Sequence, residues 1–129
     1  MPTGSFHFCD NEDDANLCAD LVVRGIKRAT AASVAELEIA GIPQPVVGDL
    51  SVITRWDGTA VAIIRTTHIE TRRLDDVDEA FALREGEGDQ TLKWWRQAHE
   101  AYYRRILARS DIKVDGDLPI ICEYFERVF

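Results

Sequence analysis

The chain has 129 residues and a formal net charge of −8, with 46% apolar and 29% charged residues. That is the size and balance of one soluble globular domain, with enough apolar surface for a single core. No apolar run approaches the ~20 residues of a membrane span, and a chain this acidic repels a long polyanion unless its few basic residues cluster.

The first predicted element is a helix capped by Asp10 or Asn11. Glu12, Asp13 and Asp14 fill its first turn, where carboxylates favour the positive end of the dipole. Leu17, Cys18, Leu21 and Val22 recur at helical spacing and should face inward. Gly25 suits the left-handed residue that ends a helix. Lys27 to Ala31 should be extended or irregular. Ser33 to Ala40 reads as a short second helix with Val34 and Leu37 inward, closed by Gly41. Two prolines make Ile42 to Pro45 a loop.

Gly48-Asp49 turns into a strand from Leu50 to Arg55, and Asp57-Gly58 is a hairpin signal. The β-branched run Val61 to Ile69 returns as a long strand. Asp75 to Leu83 should be a short helix feeding an acidic loop. Thr91 caps the longest helix, to about Ala108, with Leu92, Trp95, Tyr102 and Ile106 as its apolar stripe. Pro119 opens a last strand running to Phe129. Helices before and between strands indicate an α+β domain built on a small barrel or a strongly bent sheet. No repeat or linker divides residues 1–129.

Cys9, Cys18 and Cys122 are odd in number and widely spaced, with no Cys-x-x-Cys pair. They read as free thiols of a cytoplasmic protein, not as a disulfide frame or a zinc site, with Cys18 and Cys122 in the core. Met1 to Ser5 lacks the basic and apolar regions of a signal peptide.

Gly25-Ile26-Lys27-Arg28-Ala29-Thr30 sets a lysine three residues before a threonine, and far downstream Phe81-Ala82-Leu83-Arg84-Glu85-Gly86-Glu87-Gly88-Asp89 forms an acidic, glycine-interrupted segment. An amine, a hydroxyl and a carboxylate are the parts of a nucleophilic hydrolysis site. Threonine needs a base to take its proton, and lysine is that base only when its pKa is pushed down. A carboxylate orients the lysine or supplies a proton to a leaving amine. In a regular strand, residues three apart point to opposite faces, so Lys27 and Thr30 converge only if the backbone bends between them.

These two blocks, together with Gly48-Asp49-Leu50-Ser51-Val52, Ile64-Arg65-Thr66-Thr67 and Trp95-Arg96-x-x-His99, resemble the ASCH domain family, a relative of the PUA domains, from about residue 10 to the C-terminus. The resemblance implies a PUA-like β-barrel flanked by helices. One bacterial branch of that family consists of amidohydrolases that remove the acyl group from N4-acetylcytidine. Its threonine nucleophile, lysine base and glutamate match Thr30, Lys27 and Glu85. Other ASCH proteins are ribonucleases or RNA binders, and a binding module without catalysis is a further possibility of the family.

Arg28, Arg65, Trp56, Trp94 and Tyr103 are the candidate substrate-binding residues. Arg65 follows a buried-looking run and needs a carboxylate or an anionic ligand. Trp94 and Tyr103 lie off the apolar stripe of the long helix, Trp56 sits at the hairpin tip, and each could stack on a base. Trp95 and His99 fall on the core stripe. Glu87 and Asp89 lack the ligand frame of a calcium loop, so no metal is expected there. The proposed amide hydrolysis uses no cofactor. The expected partner is a nucleoside or a short single-stranded RNA, with neither a membrane nor double-stranded DNA.

Overall fold

Five strands in the order β1-β3-β4-β5-β2 form one mixed, half-barrel sheet, with four α-helices among the described residues. The computed structural model describes residues 4–129. Met1 to Thr3, which enter the signal-peptide reading, lie outside the described residues. The strands are β1 (Gly4–Phe6), β2 (Ala29–Ser33), β3 (Leu50–Thr54), β4 (Ala60–Arg73) and β5 (Pro119–Arg127). The helices are α1 (Glu12–Val23), α2 (Val34–Ala40), α3 (Glu79–Glu85) and α4 (Leu92–Ile106). β1 pairs with β3 in parallel, and every other pair is antiparallel.

β4 carries the sheet's bend. Its first half pairs with β3, and most of its length pairs with β5, across a register shift between Thr66 and His68. A bulge there raises the local twist and curls the sheet. The strand runs to Arg73, four residues past the expected Ile69, because β5 supplies partners for Glu70 to Arg73. β1 was not expected: three exposed residues carry no periodicity.

The helix ends follow local chemistry. The Asn11 side chain accepts from Asp14 N, Ser33 and Glu36 form a reciprocal capping box, and the Thr91 side chain accepts from Trp94 N. Gly25 and Gly41 both take positive φ just past helix ends. Three expectations are corrected. Asp75–Leu83 is a 3-10 turn (Leu74–Asp76) followed by α3, which starts later at Glu79. α2 buries no residue fully. Leu17 points outward and is 52% exposed, because α1 buries Ala15, Cys18, Ala19, Leu21 and Val22 instead.

Two apolar clusters result. One joins Phe81 and Ala82 of α3, Trp95 and Tyr103 of α4, and Ile120 and Cys122 of β5. The other joins Phe8, Cys18, Ala19 and Val22 to Ile53, Ile64 and Phe125 of the sheet. Cys18 and Cys122 are core residues, as expected. Among the described residues no helix is long and apolar enough to cross a membrane.

Candidate active site

The chain folds back sharply after α1. The backbone N–H groups of Ile26 and Lys27 both donate to Leu21 O, and Gly25 N donates to Val22 O. This turn carries the Lys27 side chain inward just before β2 begins. The end of α3 docks on the same turn. Gly86 caps α3 at φ 72, and a β-carbon on it would fall 2.8 Å from Ile26 O. Only a residue without a side chain allows that approach, and it delivers Glu85, the last residue of α3, to Lys27.

Lys27 Nζ lies 2.6 Å from Glu85 Oε2 and 2.8 Å from Glu87 Oε2, and it also donates to Ala29 O at 2.8 Å. Both Lys27 and Glu85 are about 1% exposed. Glu85 Oε1 accepts from Trp95 Nε1 at 3.2 Å and lies 3.4 Å from His99 Nε2. His99 Nδ1 is 2.9 Å from Trp95 O, a pure acceptor. Both ring nitrogens therefore face acceptors, and the pattern fits an imidazolium.

The electrostatics follow from this packing. Burial alone would push the Lys27 ammonium down, but the charges of Glu85 and Glu87 outweigh it and hold its pKa above the ordinary lysine value. The depressed pKa expected of a resting lysine base is thus corrected. Burial pushes Glu85 up, and Lys27 and His99 overcome it, so the carboxyl stays well below the usual range. Glu87 goes the other way: burial and the Glu85 charge raise it against the pull of Lys27. His99 is lowered by burial and raised by its bond to Glu85 and by the carboxylate charges, with a net rise.

This cluster floors an open cavity of about 250 Å³, at the small end of ligand sites. Thr30, half-buried on β2, lines it with Lys27, Glu85, Glu87 and His99. The Thr30 hydroxyl makes no hydrogen bond to a described residue. Trp94, Tyr102 and Phe8 supply aromatic wall, and Asp10, bridged to Arg105 at 2.9 and 3.1 Å, stands with its partner in the same lining.

The candidate residues thus divide. Lys27, Thr30, Glu85 and Trp94 line one cavity. Tyr103 is corrected: it is fully buried in the core with Trp95, because α4 and its C-cap turn Trp95, Tyr103 and Leu107 inward, at spacings of eight and four residues. Tyr102, expected in the core, faces the cavity instead. Arg28, Arg65 and Trp56 lie outside that lining. The Arg28 side chain is exposed, while its backbone N–H donates to Arg84 O and its carbonyl accepts from Phe125 N. Arg65 finds its carboxylate in Glu126 at 3.3 Å. Trp56 sits at the β3–β4 turn against His7, ring centroids 4.7 Å apart. Sequence reasoning missed Phe8, Cys9, Asp10 and Arg105 at the cavity; the only signal was their residue type, since Asp10 and Arg105 meet across 95 positions.

A family model of the ASCH domain matches residues 4–129. An ASCH domain structure from Lactobacillus crispatus JV V101 superposes with a TM-score of 0.91 at 38% identity, covering 97% of this chain and 79% of that one. A protein structure from Enterococcus faecalis V583 gives 0.87 at 31% identity, covering 99% and 77%. At 14% identity and a TM-score of 0.55, a variant of an ASCH protein from Zymomonas mobilis shares the fold over 85% of this chain and 63% of that one. No curated protein matches the chain. The fold and these matches define an α+β, PUA-like domain, and the chain belongs to the ASCH domain family.

Proposed function

We propose that this protein is a hydrolase of N-acylated cytidine-type nucleosides, with Thr30 as nucleophile. The family includes both RNA-binding and hydrolase members, and the observation that favours hydrolysis of a small substrate is the cavity floor. A threonine hydroxyl with no hydrogen bond to a described residue shares it with a buried lysine held by two carboxylates. Part of the basic charge is also occupied: Arg72 is paired with Glu70 and Asp78, Arg104 with Glu100 and Arg105 with Asp10, which reduces the charge free to meet a phosphate backbone.

A proton shift from the Lys27 ammonium to Glu87 along their 2.8 Å bond gives a neutral amine and a neutral acid without changing the net charge of the cluster. The amine takes the Thr30 proton as Oγ1 bonds to the acyl carbon and the carbonyl π pair moves onto oxygen. Collapse breaks the carbon–nitrogen bond, and Lys27 returns the proton to the leaving exocyclic amine. Water then hydrolyses the Thr30 ester with Lys27 again as base, releasing the carboxylic acid. Glu85, fixed by Lys27, Trp95 and His99, orients the lysine throughout. Trp94 and Tyr102 offer stacking faces to the pyrimidine.

Incubation with N4-acetylcytidine, and separately with single-stranded RNA, followed by mass spectrometry, tests the reading. Cytidine release that stops in Thr30→Ala and persists partly in Thr30→Ser supports it. Shortened RNA without cytidine release replaces it with a ribonuclease. Retention of either ligand without turnover replaces it with a binding module.

A further inference from the structure

Cys9 and Cys18 come from different parts of the chain, the loop after β1 and the inner face of α1, yet their sulfurs lie 3.7 Å apart. Two thiolates on one tetrahedral ion, each about 2.3 Å from it, stand about 3.8 Å apart. The pair already has that spacing. A carboxylate oxygen of Glu87 completes a triangle with them, all three ligand atoms within 4.8 Å of one another. Cys9 reaches this place with φ 62, a left-handed conformation uncommon for a residue with a β-carbon.

We propose that Cys9, Cys18 and Glu87 bind a divalent cation of the zinc class, with a fourth coordination position open to the cavity. All three residues line that cavity, so water or a ligand donor can reach the remaining position, as in zinc sites with three protein ligands. Two thiolates and a carboxylate select zinc, cobalt or cadmium over magnesium or calcium, which prefer all-oxygen sets. The charge balance permits the ion. Its entry displaces one proton from each thiol, so a dication replaces two protons and the net charge of the buried cluster around Lys27 is unchanged. The other triad within reach, Glu85, Glu87 and His99, differs in that both of its carboxylates bond to the Lys27 ammonium and it offers no thiol, whereas in the thiol site only Glu87 shares that bond. An ion at the thiol site ties together the loop after β1, α1 and the loop after α3, three walls of one cavity.

The test is titration of the reduced, metal-stripped full chain with Co²⁺ in the presence of a phosphine reductant, followed by optical absorption. A sulfur-to-cobalt charge-transfer band that saturates at a single equivalent, shows tetrahedral visible bands and is displaced by Zn²⁺ is the expected result. Cys9→Ser should weaken cobalt binding by more than the roughly 10–100-fold that loss of an outer-shell partner costs, and Glu87→Gln should weaken it while leaving the charge-transfer band. Cys18 is buried, so Cys18→Ser could fail to fold; Cys9→Ser and Glu87→Gln then decide. Absence of the band, or a band unchanged in Cys9→Ser, overturns the site.

Discussion

Lys27 Nζ and Glu85 Oε2 meet at 2.6 Å with both side chains sealed from solvent. Turning two charges out of water into a core is costly, and the cost is offset only while each has its partners. Glu87 and the Ala29 carbonyl complete the lysine's shell, and Trp95 Nε1 and His99 complete that of the glutamate. The pair therefore carries structural weight.

Replacing Lys27 by Met should leave two carboxylates facing each other in the core and destabilise the fold by about 3–5 kcal/mol. Glu85→Gln should cost less, since Lys27 keeps Glu87. Urea unfolding decides it: a midpoint unchanged in Lys27→Met would mean the ammonium is not held as the distances imply.

The adjacent tryptophans should separate stability from binding. Trp95 is 1% exposed and packs edge-on against Phe81, so Trp95→Ala should cost about 3–5 kcal/mol and lower the melting temperature sharply. Trp94 lines the cavity and is only half-buried, so Trp94→Ala should melt close to the native protein but lose about 1–3 kcal/mol of affinity for a nucleoside. Calorimetric melting and ligand titration on the two variants would expose an inverted assignment.

Gly88 and Trp94 set the width of the cavity. A β-carbon on Gly88 would fall 2.2 Å from the Trp94 ring, and the glycine holds φ 59. Gly88→Ala should therefore push the indole aside, reducing ligand affinity more than stability. Tryptophan fluorescence should report the displacement; an unchanged spectrum with unchanged affinity would show that the wall yields without consequence.

Much of this was legible beforehand because it rests on local chemistry. The caps at Asn11 and Thr91 and the stops at Gly25 and Gly41 depend on residues a few positions apart. The convergence of Lys27 and Thr30 was not, since it depends on the turn tied to Leu21 O and on the docking of α3 through Gly86. Tyr102 and Tyr103 exchanged roles for a similar reason. The helical pattern offered two neighbouring stripes, and only the packing of α4 on Phe81 and Ile120 decides which is buried. The Cys9–Cys18 approach has no signature at a spacing of nine residues.

Glu123, the cross-strand partner of Thr30 on β5, gives a pH prediction. Its carboxylate accepts from Thr66 Oγ1 at 2.6 Å on the sheet. Burial, helped by the charge of Asp49, raises its pKa above the ordinary 4.5 despite that bond. A carboxyl with a raised folded pKa binds its proton more tightly in the folded state. Its ionisation thus opposes folding, and the penalty is fully present above the folded pKa. As pH falls through the folded pKa toward 4.5, the native state gains protons before the unfolded chain does, and this contribution to stability rises; below 4.5 it is constant. Glu123→Gln keeps an acceptor for Thr66 and removes the charge. The variant should therefore be more stable than the native protein at neutral pH, with the difference shrinking as pH falls through that window. Parallel urea titrations of the two proteins between neutral pH and the ordinary glutamate value measure it, and a difference that grows on acidification would show that the Thr66 bond, not burial, dominates the site.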